Sequence, residues 1–310
     1  MQTYTIKRYH KDDYALWNSF IDNSKNGTFL FHRDFMEYHS DRFQDFSLLI
    51  YDEKKLIAVF PSNVKDEKVY SHQGLTYGGL VLGNSIGGEK IRNILLDLVY
   101  FLRSQKISNL YIKSIPIFYH QKPSNEFTFF LSDTGAELYH KDLNLAIDYS
   151  IPASIHKSKL KHYEKRKDIG FQIEEVDNLT NFWNEVLTPR LSKKHNTKPV
   201  HTLEEIQLLK KKFPESIIQF VISLDNKILA GITIFKTRDV VKSQYGAITD
   251  QGEKHRALDF LFISLIHRYR EEGYKFFDMG TVTDNNFGLL KQKEELGCEI
   301  YMQDFYRLDL

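Results

Sequence analysis

Two stretches of the chain share one pattern of apolar and polar positions. LLIYDEKKLIAVFPSN (48–63) and FVISLDNKILAGITIF (220–235) each read as an apolar strand, a charged turn and a second apolar strand. That is the pattern of a β-hairpin. Ala58 falls on Ala230, an offset of 172 residues, and the same offset sets Ser71 on Ser243 and Gly74 on Gly246. The last two pairs lie in SHQGLTYGGLVL (71–82) and SQYGAIT (243–249), which also read as strands. Glycine inside a strand marks a bulge or a close approach of backbone. Gly74 and Gly246 are the positions expected to bulge.

The match resumes at GEKIR (88–92) and GEKHR (252–256), now at an offset of 164, so the first copy carries eight additional residues before this point. A helix follows in both copies. Ile91, Ile94, Leu95, Leu98, Val99 and Leu102 fall on one helical face, and Leu258, Leu261, Phe262, Leu265, Ile266 and Tyr269 repeat the spacing. Each helix leads to a further strand, NLYIKSI (109–115) and YKFFDMG (274–280). Upstream, Trp17-Asn18 and Trp183-Asn184 open helical stretches, with His32 and His201 after them. A period near 170 is too long for a solenoid. It predicts two tandem copies of one α/β (α+β) domain, mixed central sheets flanked by helices, over residues 1–148 and 149–310.

Composition narrows the function classes. The chain has 310 residues, 42% hydrophobic and 27% charged, as a folded protein of two domains has. Its net charge of +1 gives no global field for nucleic acid, so DNA is not an expected partner and any basic surface is local. No apolar run reaches the ~18 residues of a membrane span. The N-terminus has no apolar signal core, which places the chain in the cytoplasm. Cys298 is the single cysteine, so no intramolecular disulfide forms. It reads as a small residue at the start of a strand. The 12 histidines form no metal-ligand pair, and neither a dinucleotide G-x-G-x-x-G nor a Walker A motif is present. No metal is expected.

The order helix, helix, hairpin, glycine strand, helix, strand resembles the GNAT acyltransferase fold. There the fourth strand bulges and splays from the fifth, acyl-CoA lies in the V, and its pyrophosphate meets the turn before the next helix. Helix N-termini suit an anion there. The resemblance implies a bulge at Gly246 and a donor site at Gly252, Lys254, His255 and Arg256. Two such units in one chain resemble the FemABX peptidyltransferases and related double-GNAT proteins. SKLKHYEKRKDIGFQIEE (158–175) is similar to the basic helix and strand that open their second domain. FDMGTVTDNNFGLLKQKEELGCEI (277–300) is similar to their strand, glycine turn and FK-x-x-FG helix, with Lys293 at the lysine position. DQGEKHRALD (250–259) departs from the usual pyrophosphate turn Q/R-x-x-G-x-G/A, and FemABX enzymes use aminoacyl-tRNA.

Candidate residues follow. Lys159, Lys161 and Arg166 lie in a run of six cations over residues 157–167, suited to phosphate or to a solvated face. Lys293 is a ligand for a phosphate or an oxyanion by resemblance, or a helix ion-pair partner. His201 precedes TLEEI, where Thr202 and Glu205 have capping-box spacing; it is a candidate general base. Asp278 in FFDMG orients an amine or caps a turn, and Tyr245 donates to a leaving group or packs. His72 reads as a strand residue. The longer turn of the first copy implies that it has lost donor binding, which leaves the acceptor to the cleft between the domains. The expected function is transfer of an acyl group, acetyl from acyl-CoA, to an amine of an amino sugar or peptide in a cell-surface polysaccharide or wall precursor. Transfer from aminoacyl-tRNA and a non-catalytic binding scaffold are the alternatives.

Overall fold

The computed structural model describes residues 4–152, 154–283 and 286–310. The chain divides into two compact units, Met1–Asp142 with Met302–Leu310, and Leu143–Tyr301. The last nine residues thus complete the first unit. Among the described residues no helix is long and apolar enough to cross a membrane.

The first unit opens with β1 (Thr5–Arg8), α1 (Tyr14–Asp22), α2 (Arg33–Met36) and the short β2 (Gln44–Asp45). The hairpin follows as β3 (Leu48–Asp52) and β4 (Lys55–Phe60), then β5 (Asn63–Lys65), β6 (Lys68–Tyr70) and β7 (Val81–Leu82). α3 (Gly88–Ser104), β8 (Asn109–Lys113), α4 (Glu126–Asp133) and β9 (Glu137–Asp148) come next. β1, β3, β4 and β7 form one antiparallel sheet. α3 buries the six residues of its periodic face against Val69, Leu110 and Ile112.

The second unit takes the end of β9, then α5 (Lys157–Glu164) and β10 (Gln172–Val176). A π-helical turn, Phe182–Leu187, runs into α6 (Thr188–His195), and α7 (Leu203–Lys212) follows. Next are β11 (Ile217–Leu224), β12 (Lys227–Lys236), β13 (Val240–Ile248), α8 (Asp250–His255) and α9 (Ala257–Glu271). β14 (Phe276–Val282) and α10 (Phe287–Glu295) precede the final strand, β15 (Glu299–Asp309), which enters the first unit. The strand order is β10-β11-β12-β13-β14-β9. α9 packs Leu261, Phe262 and Leu265 against Phe220, Ile232 and Phe277. The capping box at Thr202 and Glu205 is present. Cys298 is buried just before β15.

The repeat is real, but its glycine strands differ from the expectation. β6 pairs in parallel with β8 as the first three residues of β13 pair with β14. β7 pairs with β4, Leu82 on Ala58, as the end of β13 pairs with β12, Ile248 on Ala230. One continuous strand in the second unit is therefore two in the first. Residues 71–80 form no named strand, although Gly78 bridges back to Ser114, and His72 stands at φ 65° and Gly79 at φ 118°. Gly74 is not a bulge: it sits against the ring of His39, where a Cβ would clash. In the second unit the extra residue is Gln244, between Ser243 opposite Ile234 and Tyr245 opposite Thr233, and Gly246 lies two residues beyond it.

Gly252 shows how closely α8 sits on the sheet. A Cβ there would fall inside the contact radius of the Leu229 carbonyl oxygen and lie 2.8 Å from Ile248 Cγ1. Backbone does not yield as a side-chain tip does. Gly252→Ala should destabilise the protein by about 1–3 kcal/mol, the usual cost of overpacking, measured by urea denaturation. An unchanged midpoint would mean that α8 moves freely away from Leu229.

Candidate active site

β13 and β14 are parallel neighbours over three residues each, Val240–Lys242 against Phe276–Asp278. Beyond that rung both strands bulge toward their other partners. Gln244 is the extra residue of β13 against β12, and Met279 that of β14 against β9. Gly280 follows at φ 80°, where glycine is favoured. The strands part there.

Charges gather where they part. Lys242 Nζ donates to Asp278 Oδ2 at 3.0 Å, and the Gly280 N–H donates to Asp278 Oδ1 at 2.7 Å. The Asp278 carboxylate is fully buried. From α10, Lys293 Nζ donates to the carbonyl oxygens of Gly280 and Thr281 at 2.9 and 3.0 Å. A Cβ on Gly280 would stand 3.5 Å from Lys242 Nζ and 4.0 Å from Lys293 Nζ. Two amines thus share the room that the glycine leaves. Burial, and then the charge of Lys242, push the Lys293 pKa down to about 8.

A cleft of about 580 Å³ lies at the end of β13. Gly246 to Ile248, α6, the α8–α9 corner, and Leu289 and Gln292 of α10 line it. Its volume is that of a small-molecule site. Arg190, Lys194 and Arg256 supply cations to its wall. Arg190 pairs with Glu253, Lys194 with Glu253 at 2.8 Å, and Lys193 with Asp250 at 2.6 Å. These hydrogen bonds, Arg190's first and Lys194's second, hold the Glu253 carboxyl down at about 2. Arg190 Nη1 is out of solvent without a hydrogen-bond partner, 3.6 Å from Asp250 Oδ1. Arg256, at φ 51°, turns the chain from α8 into α9. No side chain caps the start of α9, so its first N–H groups and its positive end are left toward that corner.

The other expected residues stand as follows. His201 is buried, and its Nδ1 lies 2.6 Å from the Tyr245 hydroxyl, which also accepts from the His201 N–H at 3.2 Å. Burial raises the Tyr245 phenol to about 12. Trp183 meets the Tyr245 ring edge to face at 5.1 Å. His201 and Tyr245 therefore form one pair, and Asp278 and Lys293 another cluster with Lys242. None of these five residues lines the cleft. Gly246 and Arg256 do line it, while the Gly252 N–H is taken by Thr249 Oγ1 at 2.9 Å. Lys254 is exposed on α8, and the His255 carbonyl accepts from Arg166 Nε at 2.6 Å. Lys159 is buried against both oxygens of Asp259 at 3.0 Å. Within the basic run, then, Lys159 and Arg166 brace α5 on its neighbours, and Lys161 faces solvent.

Lys242, Arg190 and Lys194 were not legible as site residues. Lys242 had a signal: a lone charge among the apolar residues of a strand with both faces covered needs a buried partner. Arg190, Lys193 and Lys194 lie at i, i+3 and i+4, a stripe on one helix face.

Residues 154–287 match the family described as Acetyltransferase (GNAT) domain. Among solved structures, FemX aligns over 99% of this chain and 97% of its own, with a TM-score of 0.72 at 10% identity. L-PGS from Bacillus licheniformis aligns over 97% and 92%, with 0.64 at 13%. A tandem GNAT protein from the clavulanic acid biosynthesis pathway aligns over 99% and 98%, with 0.53 at 10%. The chain has a tandem GNAT fold. No curated protein matches the sequence. In GNAT terms β13 and β14 are the fourth and fifth strands of the second unit, bulged at Gln244 and splayed after Lys242.

The buried lysine of this GNAT unit gives a pH test. Lys293 falls from its ordinary 10.5 to about 8 on folding. Below pH 8 both states hold the proton, and the folded state bears the full cost of the buried charge. Between pH 8 and 10.5 the unfolded chain holds more protons, so this group favours folding increasingly as pH rises, and the gain is complete above 10.5. The stability difference between wild type and Lys293→Met, from urea melts, should move in favour of wild type from pH 8 to 10. A constant difference would put the Lys293 pKa at its ordinary value.

Proposed function

We propose that the chain is an N-acyltransferase whose second unit binds an acyl thioester of coenzyme A and passes the acyl group to an amine. The observation that carries this reading is the parting of β13 and β14 beside a 580 Å³ cleft with cations and the start of α9 on its wall. A diphosphate suits such a wall through charge-assisted hydrogen bonds and free helix N–H groups. We assign the donor to the second unit. At the corresponding place in the first, Gly78 N–H donates to the Lys113 carbonyl at 2.7 Å and Gly78 bridges to Ser114. The cavity left there is about 20 Å³, room for one water. The acceptor class, an amine of an amino sugar or peptide in a surface polysaccharide or wall precursor, is carried over from the resemblance, as is the cytoplasm as its place.

In this reading the amine nitrogen attacks the thioester carbonyl carbon, the C–S bond breaks, and the thiolate leaves. The proton lost by the amine goes to water: His201, the expected base, is buried off the cleft with its Nδ1 on the Tyr245 hydroxyl. Lys293, with Lys242 anchored by Asp278, supplies positive charge where the strands part, for the oxyanion or an acceptor phosphate. A second reading, transfer from aminoacyl-tRNA, is favoured by one observation: Asp250 and Glu253 already engage the cations of α6, and a donor without a diphosphate leaves those pairs intact.

Isothermal titration with acetyl-CoA should show saturable binding that Arg256→Ala weakens about tenfold or more, as loss of a hydrogen bond to a charged group does. Binding of charged tRNA without acetyl-CoA would favour the second reading, and binding of neither the scaffold. His201→Ala should leave turnover largely unchanged with the fold kept. A loss of ~10²–10⁴, the usual effect of removing a general base, would restore His201 as the base.

A further inference from the structure

The cations beside the cleft fall into two groups, both within the second unit. Arg190, Lys193 and Lys194 of α6 are matched by Asp250 and Glu253. A second group gathers at the outer corner where α8 turns into α9. Arg166, just past α5, donates through Nε to the His255 carbonyl at 2.6 Å and through Nη1 to the His162 carbonyl at 3.2 Å. These bonds tie the end of α5 to that corner. Nη1 also faces His162 Nδ1 at 3.4 Å. A guanidinium nitrogen only donates, so Nδ1 accepts and His162 Nε2 carries the ring hydrogen. Lys161, Lys165 and Arg256 are exposed round the same imidazole. Desolvation, and then the charges of Arg256, Arg166, Lys165 and Lys161, hold His162 below its ordinary value. The acids of the neighbourhood are engaged elsewhere. Asp259 and Glu295 face Lys159, Glu253 binds α6, and Glu164 pairs with Lys167, on which Asp168 also acts. Among the described residues no carboxylate pairs with Lys161, Lys165 or Arg256.

We infer that this second group is the subsite for the 3′-phosphate of coenzyme A, an inference that rests on the donor reading above and extends it. Lys161 and Lys165 stand four residues apart at the end of α5, a like-charge pair that a helix disfavours. A helix end attracts cations, but Arg256 comes from another element and joins the same group. An anion removes the repulsion. Arg256 also selects which anion, because it belongs to both groups: it lines the cleft and it acts on His162. Coenzyme A carries two anionic groups on one ribose, the diphosphate at the 5′ carbon and a phosphate at the 3′ carbon. With the diphosphate on the cleft wall, the 3′-phosphate lies one ribose away and reaches past Arg256 toward α5. A ligand with a single anionic group would fill the wall and leave the α5 cations unmatched. A phosphate dianion accepts from several donors at once, and His162 Nε2–H with the two lysine amines supplies them. The lysines are exposed, so each contributes modestly and salt screens it.

The experiment compares acetyl-CoA with acetyl-dephospho-CoA, which lacks only the 3′-phosphate, by isothermal titration of the full-length protein. Wild type should bind acetyl-CoA about tenfold more tightly, as expected for hydrogen bonds to a charged group. The preference should shrink at about 1 M salt, where the screening length falls to ~3 Å. Lys161→Gln with Lys165→Gln should remove most of it and cost acetyl-dephospho-CoA far less. Both lysines are exposed, so the variant keeps the fold, which circular dichroism checks. His162→Ala should reduce the preference on its own. Equal affinity of wild type for the two coenzymes overturns the subsite and leaves the donor reading intact. A preference that the double variant preserves places the 3′-phosphate elsewhere and overturns the assignment. Equal weakening of both coenzymes also overturns it, because the lysines then act only as a general field. Binding of neither coenzyme removes the donor reading, and the subsite with it.

Discussion

Parallel pairing between β13 and β14 ends at Lys242 and Asp278, and the second unit's site depends on that ending. A ladder that continued would hold the strands side by side and leave no V. Two bulges prevent it, each adding one residue on the side away from the junction. A bulge tightens the local twist and bends its strand, so two of them back to back force the strands apart. The last rung must hold where its neighbours no longer help. A buried ion pair with a hydrogen-bonded carboxylate does this, because removing one partner strands the other charge at a cost of about 3–5 kcal/mol. Gly280 belongs to the same constraint. Its φ favours glycine, and the space a side chain would fill is taken by the two lysine amines.

The first unit solves the same local problem in the opposite way. There the strand corresponding to β13 breaks after Tyr70, and residues 71–80 run as a loop before β7. Gly78 then pairs with the strand that the splay would have released, donating to Lys113 and bridging Ser114. Leu82 stands where Ile248 stands, an offset of 166 against 172 at Ala58, so six of the eight additional residues fall inside this loop. A few residues in a surface loop cost little closure entropy. What they change is geometry, since a free loop can fold back and fill a gap that a taut strand spans.

Much of this architecture was legible because it rests on local rules. The hairpins follow from apolar runs on either side of the charged turns Asp52–Lys55 and Asp225–Lys227, and the helix faces of α3 and α9 from spacing alone. Thr202 and Glu205 announced their own cap. What sequence could not show was long-range. Gly74 and Gly246 look alike in print, yet one answers to a histidine ring and the other follows a bulge whose extra residue is a glutamine. A bulge is a mismatch between two strands, and neither strand alone records it. The basic run 157–167 misled in a similar way: Lys159 looks solvated until Asp259, a hundred residues on, closes over it. Lys242 and Arg190 act through partners 36 and 63 residues away in sequence, distances that no periodicity reaches.

The pairs between α6 and α8 bear on how the cleft would meet a donor. Asp250 and Glu253 sit at the first turn of α8, where acids favour a helix start. An acid there also opposes a phosphate. The cations of α6 resolve the conflict, since Arg190, Lys193 and Lys194 outnumber the two carboxylates they bind and Arg256 stands beside them. The carboxylates of these pairs are exposed even where Arg190 is not, and pairs with an exposed partner contribute little to stability, so breaking them is cheap. A diphosphate offers more oxygens than the two carboxylates and forms stronger charge-assisted hydrogen bonds. The unsatisfied Nη1 of Arg190 marks where such a ligand gains most, because a buried donor without a partner is a cost that an incoming oxygen removes. Without a donor, the same pairs keep α6 against α8 and the cleft wall in place.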